Sequence, residues 1–149
     1  MKNFKVVTLA IFFAFLGTMK VSTAIEVTKK EVKVGVIFRL NDKYNTFPQK
    51  MLKAMEFALD FHQESSIRLY PVNHDGSALS LKKAVDKVLS YGVKLIVGGE
   101  TSSDAILISR MIPKENVIFI TPTASSHLVH RSNSNSFRMM LDGSKMKHL

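Results

Sequence analysis

The sequence predicts an α/β fold, an open parallel sheet with helices on both faces, and three observations predict it. Short apolar runs alternate regularly with amphipathic stretches of helical period. The first of these runs is apolar on both of its faces, as a strand buried within a parallel sheet has to be. The runs Leu95 to Val97 and Val117 to Ile120 each break off into small and hydroxyl residues, the pattern of strand ends beneath a ligand crevice. The order is β-α-β-α-β-α-β, and strands separated by helices of this length join by right-handed crossovers into a parallel sheet.

The first predicted strand is Val32 to Leu40, with Val34, Val36 and Phe38 on one face and Gly35 and Ile37 on the other. A polar loop, Asn41 to Thr46, leads to a helix in which Pro48 suits the first turn. The helix is read from Met51, Leu52, Met55, Ala58, Leu59 and His62, which recur at three and four residues, with Met51 and Met55 as core filling and His62 as a boundary residue. A second strand, Ile67 to Val72, is followed by the turn His74-Asp75-Gly76-Ser77, in which Asp75 is a turn residue. The helix Leu79 to Tyr91 buries Leu81, Ala84, Val85, Val88 and Leu89, and Gly92 stops it. Then come the strand Leu95 to Val97, a helix from Asp104 to Met111, and the strand Val117 to Ile120. Phe137 to Met140 has the composition to begin another strand, while Ser132 to Ser136 is only a short polar stretch.

Ahead of the first strand the composition is of another kind. Lys2 and Lys5 precede an apolar run from Val6 to Leu16, followed by Ser22-Thr23-Ala24, so residues 1–24 read as a secretory signal peptide. The run is well short of the ~20 residues that span a bilayer. Cleavage after Ala24 removes Lys2, Lys5 and Lys20 and no acid, lowering the formal charge from +9 to +6. Residues 25–141 then form one ligand-binding lobe and 142–149 a tail. The remaining lysines are scattered without the dense basic stripe of a nucleic-acid surface, so no nucleic-acid partner is expected. With no cysteine the chain has no disulfide, thiolate metal site or cysteine nucleophile, which suits a protein of a bacterial periplasm.

Chemistry concentrates in two loops. In Gly98-Gly99-Glu100-Thr101-Ser102-Ser103 the glycines let the backbone turn sharply and approach a ligand, and Ser102 or Ser103 caps the helix beginning at Asp104. A helix start offers unpaired N–H groups and partial positive charge, a seat for a carboxylate. Thr121-Pro122-Thr123-Ala124-Ser125-Ser126 leaves the next strand and faces the same crevice. Neither loop carries an acid/base pair, which points to a binding protein with no catalytic residue and no cofactor. The dinucleotide pattern G-x-G-x-x-G is absent after the first strand, where Arg39-Leu40-Asn41-Asp42-Lys43 stands instead, and so are G-x-x-x-x-G-K-[ST] and G-x-S-x-G. His127 and His130 have no carboxylate or cysteine nearby in sequence and are read as solvated loop residues, not metal ligands.

From Val32 to Met140 the ordered series resembles the start of the type I periplasmic binding proteins. VKVGVIFRL, KAMEFALDF, NHDGSALSLKKAVDKVLSYGVKLIVGG, TSSDAILISRMIPKENVIFITPTASS and FRMM carry the likeness, and the branched-chain amino-acid binding proteins are the nearest subgroup. The resemblance implies two α/β lobes that close on a small ligand and deliver it to a membrane ABC permease, with an amino acid or similar small polar molecule as ligand. It places the ligand α-carboxylate on Ser102, with Ser103 beside it, and the α-ammonium on Thr123 and Ser125, with Ala124 between them. An aromatic cover falls on Tyr44 or Phe47, in a loop that departs from the family's glycine-rich form. Family members continue into a second lobe, whereas this chain stops at about the first crossover, as one lobe or a truncated product. A sensory ectodomain of the same fold is the alternative, and a flavodoxin-like enzyme a further one.

Overall fold

The computed structural model of the chain describes residues 30–143; the predicted signal peptide and residues 144–149 of the predicted tail lie outside the described residues. Five strands alternate with four helices. These are β1 (Val32–Phe38), α1 (Phe47–Phe61), β2 (Ile67–Asn73), α2 (Ala78–Ser90), β3 (Leu95–Gly98), α3 (Ser102–Met111), β4 (Ile118–Thr121), α4 (Leu128–Ser132) and β5 (Ser136–Arg138). The strands form one sheet in the order β2-β1-β3-β4-β5, and every pairing is parallel. The direction of strand order reverses between β1 and β3, so the carboxyl ends of those two strands mark the topological switch point.

Alternation along β1 sorts the core into two layers. Ile37 points into a large cluster in which Leu81, Ala84, Val85 and Val88 of α2, Ala105 and Ile108 of α3, and Val129 of α4 pack with Ile96 and Phe119. Val34, Val36 and Phe38 point the other way, against Met51, Leu52 and Met55 of α1 together with Leu95 and Val97. Helices therefore cover both faces, as expected, but unequally. Ile118 pairs beside Leu95 and Phe137 beside Ile120 on the α1 side. There α1 packs chiefly on β1 and β2, and Ile118 and Phe137 remain 47% and 50% exposed. On α1 itself Ala58 keeps the helical period yet is exposed, His62 caps the helix in solvent, and Phe57 and Phe61 stack on each other at 6.1 Å in solvent.

Three local readings change. The polar stretch Ser132 to Ser136 is structural: Asn133 and Ser136 are buried, and the Ser109 hydroxyl donates to the Val129 carbonyl at 2.7 Å and pairs with the Ser136 hydroxyl at 2.9 Å. His127 and His130 are both exposed, as expected, but His130 belongs to the short helix α4, which His127 precedes as its cap, with the His130 Nδ1 3.2 Å from the Ser136 carbonyl. The expected strand near Phe137 is β5, displaced to Ser136–Arg138. Among the described residues no helix is long and apolar enough to cross a membrane.

Candidate functional site

At the carboxyl end of β3 the chain turns directly into α3. The helix starts at Ser102, two residues before the expected start, and its cap is Thr101, not Ser102 or Ser103. Thr101 is extended (φ −111°, ψ 157°), which aims its hydroxyl oxygen at the Asp104 N–H, 3.1 Å away. The correction matters for function. It places both serines in the first helical turn, where their N–H groups have no partner among the described residues. A Thr101→Ala variant is expected to lose about 1 kcal/mol in urea unfolding; a loss too small to measure would show that the cap adds nothing.

The β4 exit loop is stitched to this turn. The Ser125 N–H donates to Ser102 Oγ at 3.3 Å, the Thr123 hydroxyl to the Glu100 carbonyl at 2.9 Å, and the Thr121 hydroxyl to the Gly99 carbonyl at 2.8 Å. These bonds leave the two loops with opposite polarity. Ser102 Oγ is engaged as an acceptor and keeps its own proton to donate, beside two free N–H groups. Thr123 has committed its proton and keeps lone pairs to accept. The Ser125 carbonyl is taken by Arg138 at 2.7 Å and by the Gly143 N–H at 3.1 Å. Ala124 is buried with its N–H 3.4 Å from Thr121 Oγ1, so its side chain is part of the core. Tyr44 is wholly exposed and Phe47, the first residue of α1, half exposed. Both lie at the carboxyl end of β1, where Tyr44, Arg39 and Lys43 line a cavity of about 340 Å³.

Gly98 and Gly99 serve packing more than ligand approach. A Cβ on Gly98 would fall on the Ile37 carbonyl oxygen of β1, and one on Gly99 (φ 70°) would lie 2.8 Å from Ala105 Cα. These glycines bring β3 against β1 and the first turn of α3 against β3.

Beneath the two loops lies a polar cluster that composition and spacing did not single out. Arg39 leaves the end of β1, with its backbone N–H 2.9 Å from Glu100 Oε1, its Nε 3.6 Å from the same oxygen and its Nη2 2.8 Å from Asp104 Oδ2. His74, at the end of β2 and 1% exposed, points Nε2 at Glu100 Oε2 across 3.6 Å. Glu100 and Asp104 side chains are 4% and 3% exposed. Burial pushes the Glu100 carboxyl up, but the His74 imidazole and the backbone N–H groups of Glu100 and Arg39 outweigh it and hold it below its usual value. Asp75 is the expected turn residue: it accepts from the Ser77 N–H at 2.8 Å, which holds its carboxyl low.

His74, Glu100 and Asp104 bring potential metal-ligand atoms within 4.8 Å of one another. The set does not fit a cation. His74 Nδ1 accepts the Gly76 N–H at 3.2 Å, so the neutral ring carries its proton on Nε2, the nitrogen facing the carboxylates. A histidine ligand needs that lone pair free and the proton on the other nitrogen. The Arg39 guanidinium also already holds Asp104. The cluster is an ion-pair network that closes the crevice between β1 and β3.

No protein-family model matches the chain, and no curated protein matches it by sequence. Solved structures do match by fold. The branched-chain amino acid transporter substrate-binding protein LivJ of Streptococcus pneumoniae, solved with isoleucine, superposes with a TM-score of 0.66 at 17% identity, covering 76% of this chain and 34% of that one. The leucine-binding protein LivK of Thermotoga maritima gives 0.66 at 16% identity, over 74% and 33% of the two chains. A solute-binding protein of an ABC transporter from Rhodopseudomonas palustris, solved with 3,4-dihydroxybenzoic acid, gives 0.67 at 14% identity, over 75% and 32%. This chain spans about a third of the length of these solved chains. The five-stranded parallel sheet and its helices thus have the fold of a lobe of the type I periplasmic binding proteins, the substrate-binding components of ABC transporters that include the branched-chain amino-acid binders.

Proposed function

We propose that the chain is an exported solute-binding lobe, without enzymatic activity, that seats an amino acid or similar small polar molecule for delivery to a membrane ABC permease. The observation that carries this reading is the opposite polarity of the two loops. Free N–H groups of Ser102 and Ser103 and the Ser102 hydroxyl present donors at a helix start, suited to a carboxylate. One strand away Thr123 presents an acceptor, suited to an ammonium. Isoleucine and 3,4-dihydroxybenzoate, the ligands of two solved neighbours, share only the carboxylate, and the Thr123 acceptor favours the amino acid. Ser125 adds a hydroxyl and Ala124 a carbonyl, and Tyr44 or Phe47 covers the ligand from the β1 side. In this reading a second lobe closes over the seat from a partner or from further chain, as the greater length of the solved neighbours suggests. The lobe alone binds weakly, because its seat stays wet and half of the contacts are missing.

An isoleucine titration followed by backbone amide NMR is expected to shift Ser102, Ser103 and Thr123. The Ser102→Ala/Thr123→Ala variant is expected to bind at least 10-fold more weakly, on the order of 1 kcal/mol for each lost hydrogen bond. Unchanged affinity in a folded double variant would sink the site assignment.

A further inference from the structure

We propose that Arg39 is the positioning residue that makes the start of α3 able to accept a carboxylate, by offsetting one of the two buried negative charges that flank it. The inference rests on the seat described under Proposed function and assigns it an electrostatic requirement. Two negative charges bracket the free N–H groups of Ser102 and Ser103. Glu100 precedes the Thr101 cap and Asp104 follows the serines, and neither side chain is more than 4% exposed. Both acids lie within three residues of these N–H groups in sequence, and with their side chains buried little water screens the repulsion of an approaching carboxylate. Left alone, the two acids cancel the partial positive charge of the helix start.

Arg39 halves that negative charge from the end of β1. Its Nη2 pairs with Asp104 at 2.8 Å and its Nε faces Glu100 at 3.6 Å. Its guanidinium is held from the far side by the β2–α2 turn, where a Cβ on Gly76 would lie 2.8 Å from Arg39 Cζ. The cation is thus clamped between two acids and a glycine, and 30% of its side chain remains exposed towards the cavity lined by Tyr44.

The test is an acetate titration of the full chain at constant ionic strength, read from the Ser102 and Ser103 amide shifts. The wild type is expected to show saturable shifts, R39M at least 10-fold weaker binding, and R39M/D104N recovery to within about threefold of wild type, since removing one acid restores the charge balance. A purely structural arginine would not be rescued by a second loss. Should R39M fail to fold, D104N alone decides: with Arg39 then balancing Glu100 one to one, it is expected to bind acetate at least threefold more tightly than wild type. R39M binding like the wild type, a folded double variant no better than R39M, or unchanged affinity in D104N overturns the role of Arg39 and leaves the seat intact. No amide shift in the wild type overturns the seat and the role of Arg39 together.

Discussion

Gly98→Ala is expected to be among the most damaging single substitutions in the chain, lowering the unfolding free energy by at least about 3 kcal/mol, the upper end of what over-packing costs. The added methyl has no flexible neighbour to displace. It would meet the Ile37 carbonyl oxygen and, at 3.1 Å, Ile37 Cβ, at the last pair of the β1–β3 register, where Ile37 lies opposite Gly98. Relief requires β3 to move away from β1, which breaks the bond from the Gly99 N–H to the Ile37 carbonyl (3.2 Å) and displaces Glu100 from Arg39. Fold and site are therefore expected to fail together. Urea unfolding of the variant checks this, and a loss below about 1 kcal/mol would show that the strands part without strain.

Glu100→Ala is expected to lose about 3 kcal/mol, within the range for breaking a buried ion pair from one side. Glu100 accepts the Arg39 N–H and faces Arg39 Nε and His74 Nε2 at 3.6 Å, so its removal leaves that N–H without its acceptor and the guanidinium without one of its counter-charges. Arg39 keeps Asp104, which holds the cost near the low end. The effect carries a pH signature. The folded Glu100 carboxyl titrates below its usual value of 4.5, so its stabilisation is fully present above about pH 4.5 and is lost as pH falls through the lower folded value. The stability difference between wild type and Glu100→Ala is therefore expected to stay constant from pH 7 to about 5 and to shrink below 4.5. A difference that persists unchanged to pH 3 would assign the loss to packing and not to charge.

Thr101 and Ser102 show how close local reading came. Any hydroxyl residue before a helix is a candidate cap, and only the backbone angles select Thr101, which moves the start of α3 back two residues and frees Ser102 and Ser103. The same limit applies to α1, where Ala58 and His62 keep helical spacing and yet face water.

The alternation of strands and helices, the parallel sheet with two covered faces, and the two hydroxyl loops at adjacent strand ends were legible in the sequence alone. Those features follow from periods of 2 and 3.6 residues and from turn chemistry, all carried within a dozen consecutive positions. Only the tertiary structure brought Arg39, His74, Glu100 and Asp104 together, because they follow three different strands whose meeting depends on the order β2-β1-β3. No local period encodes that order. The charge balance at the start of α3 is a property of the assembled sheet, whereas the donors that line it are a property of the chain.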